Sequence, residues 1–264
     1  MTSASNQDIP RTVAASQGWR WVVEGFRLYR KSALLLSAAF GMLFGLMMAL
    51  NLIPGIGSTL SELASPLMVA GFMAAFRALD NGEELELPHF LAGVQRPIMA
   101  GPALPLMAMG AVQLLGTLAI GQIMHRMGFD PEVIMAAAQN EKANPAEVQA
   151  LMNQALPAVL TGLLLFTPLI MATWFAPALI LFGGARLGTA LGVSLKAVVK
   201  NWAALTVNGL VLGLLLFFAA LVPMLLGLLV AMPVLFGSLY ASYQSIFAVW
   251  ADDTEADHTA DRLA

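Results

Sequence analysis

The chain has 264 residues, with 16 acidic and 13 basic side chains, a formal net charge of −3 and no cysteine. The AVILMFWYC set makes up 59% and charged residues 11%. With glycine counted, the apolar share is roughly two thirds, against ~45–50% in globular chains. This excludes a disordered chain, a coiled coil, a collagen-like repeat and a basic nucleic-acid-binding domain, and the absence of cysteine excludes disulfides, thiolate metal sites and cysteine nucleophiles. An all-α polytopic membrane protein is what remains.

Residues 1–17 are expected to be a disordered lead. Gly18 to Ser32 then places Trp19, Val22, Val23, Phe26 and Tyr29 at helical spacing, with Arg20, Glu24, Arg27 and Lys31 opposite. That pattern predicts an amphipathic helix lying in the headgroup layer. The first span is expected at 33–53. The second, 60–79, reaches spanning length only if Glu62 and Arg77 sit at the two interfaces. An acidic run follows (Asp80, Glu83, Glu84, Glu86, then His89), and a third span is expected at 98–124. An outer loop, 125–153, carries two helix starts, Asp130-Pro131-Glu132 and Asn144-Pro145-Ala146-Glu147, each a cap, a proline and a first-turn acid. The fourth span is expected at 156–184. Leu187 to Trp202 repeats the interfacial pattern, with Leu191, Leu195, Val198, Val199 and Trp202 against Lys196 and Lys200. Asn201 to Ala251 is free of charge and long enough for two spans, 203–223 and 224–250, turning between Pro223 and Pro233. Residues 251–264 form an acidic tail. The membrane domain is thus 18–250.

Charge distribution sets the expected orientation. With six crossings, Arg11, Arg20, Arg27, Arg30, Lys31, Arg77, Arg96, Arg186, Lys196, Lys200 and Arg262 share one side, and Arg126 and Lys142 the other. The positive-inside rule then places both termini in the cytoplasm. The lead, with Asp8 and Glu24, lacks the pattern of a signal peptide, so the first span is expected to stay in the mature protein.

The two ends of the chain align with one another. Phe26-Arg-Leu-Tyr-Arg-Lys31 falls on Leu195-Lys-Ala-Val-Val-Lys200, and Pro54 on Pro223. Each first span of the pair carries a GxxxG, Gly41 to Gly45 and Gly209 to Gly213. A weaker copy, Phe90 to Arg96, precedes the third span. Pro66 to Gly71, Pro177 to Gly183 and Pro233 to Gly237 mark the even-numbered spans. The pattern reads as three tandem hairpins, each preceded by a cytoplasmic interfacial helix, in parallel rather than inverted repeat. The competing readings are that apolar helices match at any shift and that the interfacial helices simply extend the spans.

Chemistry is sparse. No ionisable residue falls at mid-bilayer, which argues against a proton- or sodium-coupled transporter. His89, His125 and His258 have no metal-ligand spacing, and no phosphate loop, GxSxG or HExxH occurs. The run from Asp80 to His89 reads either as a cation or hydrolytic site or as a solvated turn around Asn81-Gly82. On the last span Ser238, Ser242 and Ser245, with Tyr240, Tyr243 and Gln244, form either a packing face or the lining of a polar cavity. Pro102, Pro105, Pro157, Pro168, Pro177 and Pro233 either break helices around a pocket or are kinks in a packed bundle. No catalytic, cofactor-binding or metal-binding residue is assigned.

The segments Gly18-Trp-Arg-Trp-Val-Val-Glu-Gly-Phe-Arg-Leu-Tyr-Arg-Lys31, Pro66 to Gly71, Arg77-Ala-Leu-Asp-Asn-Gly-Glu-Glu84 and Tyr240-Ala-Ser-Tyr243 resemble an uncharacterised family of six-span inner-membrane proteins from proteobacteria. More distantly, the layout is similar to the membrane domain attached to some glycerophosphodiester phosphodiesterases. The resemblance implies topology and a place in the bacterial inner membrane, and carries over no catalytic residue. The expected function is non-enzymatic: a membrane component that binds lipid, a protein partner or a second copy of itself, with no nucleic acid and no cofactor. The alternative is a permease or exporter for a small amphipathic or apolar solute.

Overall fold

The computed structural model describes residues 10–94, 101–140 and 144–247. In chain order the helices are α1 (Gln17–Lys31), α2 (Ala33–Asn51), α3 (Gly57–Asp80), α4 (Leu87–Phe90), α5 (Ala103–Arg126), α6 (Pro131–Gln139), α7 (Pro145–Trp174), α8 (Ala176–Gly183), α9 (Leu187–Lys200), α10 (Trp202–Ala220) and α11 (Leu228–Phe247). No strand occurs among the described residues. Six helical segments are long and apolar enough to cross a membrane: α2, α3, α5, α7 with α8, α10 and α11. The protein is an all-α, polytopic helical membrane protein.

Several boundaries differ from the sequence expectation. The second span is not short: α3 runs for 24 residues from Gly57 to Asp80, with Pro66 inside it. The second outer helix is not a separate element. Asn144 caps it by accepting from the Ala146 N–H at 3.0 Å, and it continues unbroken for 30 residues into the fourth span. Only α6, capped by Asp130, stands alone in the outer loop. The lead is not disordered from residue 10 onward. Arg11 N–H donates to Ile246 O and Val13 N–H to Asn201 Oδ1, each at 2.8 Å, while Asn201 Nδ2 donates to Arg11 O. Asn201 is 2% exposed, so a buried amide with both a donor and an acceptor pins this otherwise unstructured backbone. Residues 1–9, Arg96, Lys142 and the tail from 248 lie outside the described residues.

The repeat relation holds at the level of helix ends. A shift of 169 carries Ala33–Asn51 onto Trp202–Ala220, end for end, and both helices have 19 residues. The same shift carries Trp21, Gly25, Leu28 and Tyr29 onto Ala190, Ser194, Ala197 and Val198, and all eight are buried. The middle copy is reduced: among the described residues its leading helix is the four-residue α4. Its one large anchor, Phe90, is buried and T-shaped against Phe72 at 5.2 Å. Gly71 makes room for it, since a Cβ there would lie 2.1 Å from Phe90 O.

Each leading helix packs on the returning helix of the preceding unit. Thus α4 packs on α3, α9 on α7 and α8, and α1 on α11 and α10. The first unit docks on the third, so the three units close a ring. At its centre lies α11, whose apolar stretch is 67% buried, against 17% for α2.

The face by which α1 packs on the bundle coincides only in part with the stripe read from the sequence. Gly18, Trp21, Val22, Gly25, Leu28 and Tyr29 are buried, while Trp19, Val23 and Phe26 are about half exposed. The reason is backbone approach. A Cβ on Gly25 would lie 2.4 Å from Ser238 N, and one on Gly18 would lie 2.2 Å from Ala204 O. These two glycines let α1 sit directly on α11 and α10. The GxxxG pairs do not serve this purpose: Gly45, Gly209 and Gly213 have no neighbour within 4 Å of a built Cβ.

Candidate functional site

The serine stripe of the sixth span is a packing face. Ser238 and Ser242 are 0% and 1% exposed, and Tyr240 and Tyr243 are equally enclosed. Asn208 Nδ2 reaches Ser238 Oγ at 2.6 Å and Gly18 O at 3.1 Å, tying α10 to α11 and α1. Ser242 donates to Leu239 O of its own helix.

The acidic run divides. Asp80 turns inward, where its Oδ2 accepts from Gln244 Nε2 at 2.8 Å and from Tyr240 OH at 3.2 Å, so the end of α3 is held to α11. Glu83 and His89 remain at the turn, 3.8 Å apart, and Glu84 and Glu86 are exposed. No group of three His, Asp or Glu at metal-binding spacing occurs among the described residues. Arg27 joins this group, paired with Glu24 and 3.9 Å from Asp80. The Glu24 hydrogen bond raises its pKa, opposed by desolvation and aided by the charges of Glu24 and Asp80. Lys31 Nζ donates to Leu79 O at 2.7 Å, and Arg77 lies 4.8 Å from the Phe182 ring centre. These contacts fasten α1, α3, α8 and α11 at one end of the bundle.

Space opens instead at the fourth span. Between α7 and α8 the helical ladder is broken at Phe175, where two residues cooperate. Ser194 of α9 inserts its hydroxyl, accepting from Phe175 N–H at 3.0 Å and donating to Met171 O at 2.8 Å, in place of the direct bond between those groups. Pro177 has no N–H to offer the next turn. An inserted side chain and a proline are sufficient cause for a kink. Two cavities flank it.

A groove of about 230 Å³ lies on the flank, bounded by Ile170, Met171 and Trp174 of the fourth span, Val198 of α9, and Trp202, Leu205, Thr206 and Gly209 of α10. Ile170 and Trp202 are 51% and 65% exposed, so the groove faces the surroundings of the bundle. Its one hydroxyl, Thr206, is bonded to Trp202 O.

The second cavity, about 270 Å³, lies where the returning helices of all three units meet. From α3 come Ser65, Pro66 and Val69, from α5 Met109 and Gln113, and from α11 Leu235, Phe236 and Leu239. The fourth span adds Thr173 and Pro177 together with Ile170 and Trp174, which also bound the groove. Ser65 and Thr173 bond carbonyls of their own helices. The Trp174 indole N–H is buried without a hydrogen-bond partner. In the sequence Gln113 is one polar residue within a predicted span, with no motif around it. Its position on a cavity wall required the fold.

These features define a multi-pass helical membrane protein with one largely buried span, a polar clasp at one end and two apolar cavities around a broken span. The chain is 30% identical over 262 residues to a probable inner membrane protein of Burkholderia thailandensis, the match covering 90% of this chain and 93% of that one. It belongs to that family of inner membrane proteins. No family model and no solved structure matches.

Proposed function

We propose that the protein is a non-enzymatic inner-membrane component that binds membrane lipid along the fourth span. The observation that carries this reading is the flank groove, apolar along its wall and exposed where acyl chains would lie. Apolar grooves between helices, with few polar groups, are the usual form of a small-molecule site. Both termini are proposed to be cytoplasmic, on the distribution of basic residues. A cysteine placed at Ser16 and another at Ala136 test this: only the second should react with a membrane-impermeant maleimide in intact cells.

Lipid retention tests the function. Gly209 borders the groove, and a Cβ there meets no atom within 4 Å, so Gly209→Leu fills the groove without disturbing the bundle. Native mass spectrometry of the detergent-purified protein should show phospholipid on the wild type and much less on G209L. Equal retention would contradict the proposal. A permease for a small apolar solute is the second reading, supported by the central cavity. It requires solute flux in proteoliposomes, which a binding component does not produce.

A further inference from the structure

The central cavity has a chemical feature that packing does not explain. Gln113 is near the middle of the 24 residues of α5, and the facing Val69 and Phe236 are near the middle of α3 and α11. The cavity therefore sits near mid-bilayer depth, where hydrocarbon offers a polar group nothing to bond. The Gln113 amide carries two donor hydrogens and an acceptor oxygen. It lines the cavity, is only half-buried, and makes no hydrogen bond among the described residues. The two hydroxyls on the wall are already bonded to their own helices. No charged side chain is on the wall.

We infer that this cavity binds an uncharged, largely apolar molecule drawn from the bilayer, anchored to Gln113 through a carbonyl or hydroxyl group. The inference rests on the reading that the chain holds a membrane-borne ligand, and adds the ligand's class and its anchor. A charged headgroup is excluded by the wall, which has nothing to compensate a desolvated ion. Size limits the occupant as well. A cavity of about 270 Å³ is nearly twice the ~150 Å³ apolar cavity that admits benzene. It accepts a ring or a short chain and excludes a whole two-chain phospholipid. A longer tail has a way out past Ile170, which borders both cavities and is half exposed.

The test uses the full chain in phospholipid nanodiscs with 2-dodecanone labelled with ¹³C at the carbonyl. The inference predicts a saturable infrared carbonyl band, shifted to lower frequency than in protein-free discs, at one ketone per chain. Gln113→Leu should remove the shifted band and weaken binding about tenfold, the worth of one hydrogen bond, with thermal stability unchanged or improved. Val69→Phe should remove the band by filling the cavity while leaving Gln113 in place. Unlabelled 1-dodecanol should displace the ketone, and dodecane should not. A band that persists in Q113L, or displacement by dodecane as effective as by dodecanol, would overturn the inference. So would a dimer that Q113L dissociates, since Gln113 would then be bonding a second copy. Phospholipid retention is read separately through G209L. Wild-type protein that keeps phospholipid but shows no shifted ketone band overturns this inference and leaves the groove proposal standing.

Discussion

Helices α1 and α9 are equivalent by position in the repeat, yet they do opposite things to the spans they cover. At the α1 seam the equivalent position is Gly25, and α1 lies on α11 backbone to backbone, with Asn208 of α10 donating both to Gly18 O of α1 and to Ser238 of α11. At the α9 seam the position is Ser194, whose hydroxyl enters the ladder of the fourth span and holds it open. At one seam the backbones touch. The other has cavities of about 230 and 270 Å³ beside it. The two seams thus differ at an aligned residue: glycine where the backbones touch, serine where the fourth span is kinked.

Substitutions separate the two seams, and the largest effect is expected at the clasp. Gly25→Leu drives a side chain into Ser238 and Gly237, and should destabilise the protein by about 3 kcal/mol, at the upper end of overpacking costs. Thermal melting in detergent and loss of protease resistance of α1 would register it. Asn208→Leu is next. It leaves Gly18 O and Ser238 Oγ without their partner in a buried site, at about 1–3 kcal/mol, and the cost should vanish in protein already carrying G25L, because the two act on one seam. Ser194→Ala should cost about 1 kcal/mol of stability. Its more telling effect is local: amide exchange at Phe175 should change while that of α1 does not. Smallest is Glu24→Gln. Arg27 is 55% exposed and Glu24 37%, so the change should fall within about 0.5 kcal/mol and shrink with salt. The folded-state pKa of Arg27 is raised, so its contribution is complete below the unfolded pKa and lost only as pH rises through the folded one. Between pH 5 and 9 melting curves of wild type should show no trend that E24Q removes.

The sequence made the class, the number of spans and the pairing of the first and third units legible because these depend on where charge is absent and on period. The 33-to-202 correspondence is a matter of residue type alone. It could not reveal which face of α1 is buried. The aromatic stripe Trp19, Val23 and Phe26 is the more hydrophobic to read, but backbone approach at Gly18 and Gly25 decides the packing, and approach is a property of two helices together. The GxxxG pairs show the same thing: Gly209 and Gly213 have small-residue spacing, but a Cβ built on either meets no atom within 4 Å. The serine stripe offered two readings that only the position of α11, central or lining, separates. Asp80 looked like one member of a solvated run, and it is Tyr240 and Gln244, 160 and 164 residues away, that draw it inward. The site itself was the least legible part. Its walls are ordinary apolar residues from five helices, and Gln113, whose side chain makes no hydrogen bond among the described residues, is unremarkable until the hydroxyls around it are found to be bonded elsewhere.

A structure of the wild-type protein purified in native membrane patches, at a resolution that shows ordered lipid, tests the central contrast most directly. The account predicts ligand density against Ile170, Trp202 and Gly209 and reaching Gln113, with helix-to-helix contact and no density between α1 and α11. Groove and cavity both bare of lipid, or covered by a second copy of the chain, would contradict it.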